Sequence, residues 1–230
     1  MNQIRTRGIV LTRVDYGEAD RIVTVLTPDH GKLSLMAKGV RRANSKLAGG
    51  IELFSVSEIV FIKGKGSVDT LVSTRLVRHY GQIVGNIDRT MLGYDLLKLL
   101  NKVTEDVPEE SYFMVLEQTL AALDDSSIPA GLIRIWFAAQ LLRLAGHTPN
   151  LRTTADGAKL AADTRYDFDF EAVAFRANED GRFGANEIKF LRLMFAGNSP
   201  KALASVEQSQ HYAEALEPFV LTIRHEYLRA

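Results

Sequence analysis

Apolar and polar residues alternate in short runs over the first 80 positions, and beyond them the spacing lengthens to a helical one. Ile4 to Arg13 (IRTRGIVLTR) is a β-rich stretch with an apolar centre, and Val14 to Asp20 reads as a polar turn region. Arg21 to Thr27 (RIVTVLT) is β-branched and partly alternating, and Lys32 to Met36 places Leu33 and Leu35 on one face. Leu53 to Ile62 and Asp69 to Val77 complete five predicted strands. Pro28-Asp29-His30-Gly31 is a turn in which Pro presets one dihedral and Gly accepts a positive φ, and Gly64-Lys65-Gly66 is a short hairpin connection.

After Asp88, Leu92, Leu96, Leu99, Leu100 and Val103 share one helical face. Pro108 with Glu109-Glu110 starts a second helix, whose buried stripe is Phe113, Leu116, Leu120 and Leu123. Pro129 opens a third, apolar nearly all round and stopped at Gly146, which predicts a central helix packed on several sides. Arg134, Gln140 and Arg143 are its polar members. From His147 to Asp180 the chain is irregular apart from one hairpin, Arg165–Phe170 with Ala172–Arg176. Asn186 to Phe195 is a fourth helix, and the tail from His211 is a fifth, with Pro218 expected to kink or interrupt it.

The pattern predicts an α+β chain: a small five-stranded barrel over residues 1–80, then a mainly α-helical domain over 81–230 with 147–184 as a hairpin and loop insertion. An OB-fold is the natural candidate for the barrel, because it binds oligonucleotides on one face. An SH3-like barrel fits the periodicity equally well. The barrel's rings are Tyr16, Phe54, Phe61 and Tyr80. An exposed ring among cations stacks on bases, whereas Phe54 and Phe61 lie in apolar strands and are expected to be core.

Charge sharpens this division. The net charge is zero, yet Met1 to Tyr80 carries 13 Lys and Arg against 7 Asp and Glu, leaving 15 against 21 for the remainder. The densest basic stretch is Ala37 to Gly50 (AKGVRRANSKLAGG), with Lys38, Arg41, Arg42 and Lys46 and no acid between Asp29 and Glu52. Set between strands and rich in glycine, it reads as a mobile basic loop able to lie along a phosphate backbone. Arg13, Arg21, Lys63, Lys65 and Arg75 are further barrel cations. The chain has no cysteine, which excludes disulfides, thiolate metal sites and a cysteine nucleophile. With no apolar run of spanning length and no signal peptide, the expected compartment is the cytoplasm, away from the membrane.

The run from Arg7 to Ser45 resembles the N-terminal signature of the RecO recombination mediator family, through Tyr16, Glu18 and Asp20, Gly31, Ala37-Lys38-Gly39 and Arg41. Leu141 to Leu151 (LLRLAGHTPNL) is similar to the family's segment at the end of its central helix. The resemblance implies an N-terminal OB-fold on a helical domain, acting in DNA recombinational repair. It implies binding of single- and double-stranded DNA, annealing of complementary strands, and loading of RecA together with RecR and the single-stranded-DNA-binding protein SSB. The implied DNA-binding residues are Lys38, Arg41, Arg42 and Lys46, with the other barrel cations as additions. Arg134 and Arg143 are candidates for the carboxylates of SSB's acidic C-terminal tail. Many members carry a four-cysteine zinc module after this helix, but here Thr153, Thr154 and Asp156 stand in its place. Threonine is not a zinc ligand, so no zinc is expected, and Phe168, Phe170, Val173 and Phe175 are expected to hold the hairpin.

Two other classes remain open at this level. Asp163, Asp167, Asp169 and Glu171 form a carboxylate cluster, in which Asp167 and Asp169 point the same way on a strand and suit a divalent ion for phosphodiester chemistry. The plainer reading is the polar face of an exposed hairpin, since no base or third positioned ligand accompanies them, and no catalytic role is expected. A protein-interaction module with its basic loop on an acidic partner is the remaining alternative.

Overall fold

The computed structural model describes residues 2–104 and 109–228. The chain divides into two compact units, one up to Ser126 and one from Ser127.

The first unit is built on a closed barrel of β1 (Gln3–Tyr16), β2 (Asp20–Thr27), β3 (Gly31–Ala37), β4 (Ser55–Ile62) and β5 (Asp69–His79), in the order β1-β2-β3-β5-β4. This is the OB-fold topology. The long first strand serves two neighbours: Gln3–Ile9 pairs with β4, and Ile9–Tyr16 pairs with β2. A register shift between Val10 and Thr12 turns the strand from one partner to the other and lets consecutive Val10 and Leu11 both be buried. Two parallel pairs, Leu35 with Asp69 and Met36 with Thr70, close the barrel. Val10, Val23, Val25, Leu35 and Phe61 fill its interior.

The segment expected as a turn from Val14 to Asp20 is strand as far as Tyr16. Asp15 pairs with Arg21 and Tyr16 with Asp20, leaving Gly17–Ala19 to reverse the chain, with Gly17 at φ 58°. Polar residues persist here because this end of the strand is exposed on both faces.

Two helices, α1 (Ile87–Val103) and α2 (Glu110–Asp124), belong to the barrel's unit although their period marks them as helical-domain sequence. Asn86 caps α1 by accepting from the Arg89 N–H at 3.0 Å. Gly93 lets α1 approach the buried ring of Phe54. The Lys32 ammonium donates to the carbonyls of Asn101 and Thr104 at the C-terminal end of α1, at 2.9 and 2.8 Å. Arg89 does the same for α2, donating to the Leu123 and Asp125 carbonyls at 2.9 and 3.1 Å. The expected start of this helix at Pro108 lies outside the described residues.

The second unit centres on α3 (Ala130–Leu144), which is buried on most sides and leaves Arg134 and Arg143 exposed. Its two buried polar groups act as clips. The Trp136 indole donates to the Asn198 carbonyl at 2.6 Å, and the Gln140 amide donates to the Met194 carbonyl at 2.8 Å. They fasten α3 to the end of α4 (Ala185–Phe195) and to the turn before the short α5 (Pro200–Ala204), a helix the periodicity did not predict. The last helix, α6 (Ser209–Tyr227), runs through Pro218 without interruption. Pro218 is exposed, as is Glu214, whose carbonyl loses its helical donor there.

The region 147–184 holds a three-stranded sheet rather than a hairpin alone. β7 (Tyr166–Asp169) and β8 (Ala174–Ala177) are antiparallel, and β6 (Asn150–Thr154) adds to β8 in parallel. Phe168 and Phe175 are buried against Phe219 of α6 and Phe183, whereas Phe170 is 42% exposed and Val173 sits at the tip with φ 51°. The hairpin is therefore held by a helix and by Phe183 as much as by its own side chains.

Candidate nucleic-acid interface

The basic loop is tied down rather than mobile. Val40 and Ile51 are buried in the barrel core at either side of it, and Ala48–Gly50 forms a single 3-10 turn. Gly50 lies so close to Thr74 of β5 that a Cβ there would meet its Cβ at 2.3 Å. At the other end Asp20 accepts from the Gly39 N–H at 2.6 Å, and the Arg41 N–H donates to the Ala19 carbonyl at 2.9 Å. Gly39 adopts φ 64°, which favours glycine and turns its neighbours outward. The two halves of the Arg7–Ser45 signature thus meet in space: Asp20 in the first turn fixes the Lys38-Gly39 corner in the loop.

This anchoring divides the predicted cations into two groups. Lys38, Arg42, Lys46, Lys63 and Lys65 are exposed and have no carboxylate partner among the described residues. Arg13 is instead paired with Glu52 at 2.6 Å, Arg75 with Glu58 at 2.9 Å, and Arg21 and Arg41 both with Asp15, at 2.7 and 3.5 Å. Asp15 titrates below the ordinary carboxylate value, held there by the hydrogen bond from Arg21, with the charges of Arg41, Arg21 and Arg13 adding. Glu58 is lowered in the same way, first by its hydrogen bond from Arg75.

The register places Lys38 and the connection carrying Lys63 and Lys65 at one sheet surface. Val14, Ile22 and Met36 form a cross-strand row on the outside of the barrel, and Thr12, Thr24 and Ser34 form the row before it. Tyr16 and Asp20 form the row after, with Lys38 one step past the last β3 pair. The connection carrying Lys63 and Lys65 enters beside the same strand, because Asp69 is the partner of Leu35. In OB-folds generally, the face of the second and third strands binds oligonucleotides. Of the barrel's rings, Phe54, Phe61 and Tyr80 are buried and Tyr16 is 56% exposed, with Val14 beside it at 60%. Val14 was missed as a surface residue; its alternation with Tyr16 was the available signal.

The other predicted sites come apart. Arg134 is paired with Glu217 at 2.8 Å, and Arg143 donates to the Gln140 side chain at 3.0 Å. Nine positions apart on a helix is about two and a half turns, so the two guanidinium groups leave α3 on opposite sides. Asp167 accepts from Asn178 at 2.6 Å and from the Arg182 N–H at 3.1 Å. Asp169 accepts from the Glu171 and Ala172 N–H groups, at 2.9 and 3.0 Å, and pairs with Arg176. Both carboxylates are lowered by these bonds, so they are spent on turns rather than aimed at a shared point. Among the described residues no three His, Asp or Glu side chains gather as a metal site. Thr153 accepts from the Asn150 amide at 2.7 Å, and Thr154 donates to Asp156 and to the Ala158 carbonyl, closing a turn in the segment expected to replace the zinc module. A cleft of about 400 Å³ floored by Phe168, Phe183 and Phe219 is rimmed by Asp167 and Glu187 against Arg182, a balance unfavourable to an acidic segment.

Two family models match the chain: Recombination protein O N terminal over residues 1–80, and Recombination protein O C terminal over residues 85–230. Curated relatives include several proteins named DNA repair protein RecO. The protein of Dehalococcoides mccartyi is 34% identical over 72% of this chain and 65% of its own length. That of Rubrobacter xylanophilus is 32% identical over 66% of this chain and 61% of its own. That of Acetivibrio thermocellus is 30% identical over 76% and 69%. The match thus spans less than two thirds of the first two relatives.

Proposed function

Since this chain belongs to the RecO family of DNA repair proteins, we propose that its barrel binds single- and double-stranded DNA through the phosphate backbone and that it acts as a recombination mediator. The observation that carries this reading is the anchored loop, which presents Lys38, Arg42 and Lys46 without carboxylate partners among the described residues, with Lys38 at the edge of the β2–β3 face. A fixed array of free cations releases counterions from a polyanion without first breaking ion pairs. The mechanism is charge neutralisation. Two strands repel each other, and a cationic surface that holds both lowers that barrier and lets bases find partners. The step requires no covalent chemistry, nucleotide hydrolysis or metal. RecR, SSB and, indirectly, RecA are the proposed partners in the cytoplasm, on the strength of family membership. No helix among the described residues is long and apolar enough to cross a membrane.

The test is fluorescence anisotropy of a labelled single strand and of a duplex, titrated at several salt concentrations. Lys38→Ala/Arg42→Ala/Lys46→Ala should weaken binding to both. It should also flatten the plot of log affinity against log salt by about 0.7 per lost single-strand phosphate contact. Equal slopes for variant and wild type would remove the loop from the interface. Absence of wild-type binding at low salt would give first place to an acidic protein partner.

A further inference from the structure

We propose that Tyr16 is a stacking platform for one unpaired nucleobase, and that this contact gives the barrel a preference for single strands over duplex. The proposal rests on the phosphate-binding reading above and adds to it the contact that a duplex does not make. Tyr16 is the last residue of β1, on the outer row that continues through Asp20 toward Lys38. Tyr16 is 56% exposed, and its side chain has no aromatic, cationic or hydrogen-bonding partner among the described residues. The other barrel rings cannot substitute: Phe54, Phe61 and Tyr80 are at most 1% exposed.

A lone exposed tyrosine needs no explanation by itself. Two further observations distinguish this one. First, it is placed by structure and not by chance fraying. Asp20, its cross-strand partner, is bonded to the Gly39 N–H, and neighbouring Ala19 to the Arg41 N–H, so the platform and the cationic loop form one rigid corner. Second, the surface beside it is apolar and open: Val14 is 60% exposed, and Ile22 and Met36 of the adjoining row are half-buried. A base leaving water for this surface keeps its backbone phosphates within the field of Lys38 and Arg42. That pairing of a flat ring with free cations is what a single strand offers and meets. In a duplex both faces of every internal base are already stacked, so the ring gains nothing there and only the phosphate contacts remain. One ring also anchors one base, leaving its neighbours free to pair with an incoming strand.

The experiment compares wild type, Tyr16→Ala and Tyr16→Phe on three labelled probes of equal phosphate number: an oligothymidylate strand, the same strand with abasic sites throughout, and a blunt duplex. Wild type should bind the base-bearing strand about 5- to 150-fold more tightly than the abasic one, the range expected for a single stacked base. Tyr16→Ala should lose that discrimination while keeping the salt slope and the duplex affinity of wild type, and Tyr16→Phe should retain all three. If wild type binds the abasic strand as tightly as the base-bearing one, phosphate binding stands and stacking is refuted. Equal losses on all probes for Tyr16→Ala would also refute stacking, assigning the ring to the corner's geometry. If wild type binds none of the probes, both readings fall together.

Discussion

Asp15 holds two arginines out of the proposed interface, and removing its charge should strengthen DNA binding. Asp15→Asn keeps the side chain's size while releasing Arg21, now at 2.7 Å, and Arg41, now at 3.5 Å. The side chains of Asp15, Arg21 and Arg41 are 52%, 30% and 37% exposed, so the pairs contribute little to folding and the melting temperature should barely move. The Arg41 backbone bond to Ala19 and the Gly39 bond to Asp20 keep the loop in place. Each freed cation that meets a phosphate of a single strand releases about 0.7 counterion, worth roughly 0.8 kcal/mol at about 0.15 M salt, or about fourfold in affinity. One engaged arginine therefore predicts about a fourfold gain and both about fourteenfold, with the salt slope steeper by about 0.7 to 1.4. Adding Arg41→Ala to Asp15→Asn should remove that arginine's share. The assay is anisotropy at several salt concentrations. An unchanged slope would show that these arginines do not face the DNA. Weaker binding at an unchanged melting temperature would show that the carboxylate sets a geometry the DNA needs.

Two stability predictions follow from the packing. Gly93→Ala should destabilise the first unit even though alanine is favoured in a helix by about 1 kcal/mol. The new Cβ would lie 2.7 and 3.0 Å from the buried Phe54 ring, which is held at φ 58° against Tyr94, and overpacking of this kind costs about 1–3 kcal/mol. A melting temperature above wild type would show that the ring yields freely; Phe54→Leu in the same background should relieve the cost. In the second unit, Asp156, Asp167 and Asp169 titrate below the ordinary 3.8 through hydrogen bonds, those to Asp156 and Asp169 from their own turns and those to Asp167 from Asn178 and Arg182. Groups lowered by folding contribute stability above their unfolded value and lose it as pH falls through the folded one. Asp169→Asn should therefore cost stability at neutral pH, with the difference from wild type shrinking as pH drops below about 3.8; a constant difference would exclude the ionised carboxylate as the cause.

The five strands and the main helices were legible because each buries a repeating face, and a repeat is a local property of sequence. The elements that escaped lack one. β6 has five residues and joins its sheet in parallel, through Thr154 and Asn150 on a partner more than twenty positions away. α5 is a single turn between Ser199, which caps it, and Ser205. Pro218, expected to kink or interrupt α6, does not interrupt it, and both Pro218 and Glu214, whose carbonyl loses its helical donor, are exposed residues.

The site shows the same division between local and distant information. Lys38, Arg41, Arg42 and Lys46 were visible as a basic run, but a run does not show which charges are free. Asp15 lies far from Arg41 in sequence and beside it in the fold, so only tertiary pairing separates Arg41 from Lys38. The acid-free interval from Asp29 to Glu52 suggested an unopposed loop, whereas its partners come from the strand ends flanking the β1–β2 turn: Asp15 for the Arg41 side chain, Asp20 for the Gly39 backbone. Those two contacts act in opposite directions. The Asp20 bond fixes the loop and costs it no side-chain charge, while Asp15 withdraws Arg21 and Arg41. The same turn therefore makes the loop rigid and limits its charge, and its last strand residue, Tyr16, faces outward beside what remains. Rigidity, charge and an aromatic surface thus depend on one short turn. Changes at Asp15, Tyr16 and Asp20 should accordingly have separable effects on salt slope, on base dependence and on the order of the loop.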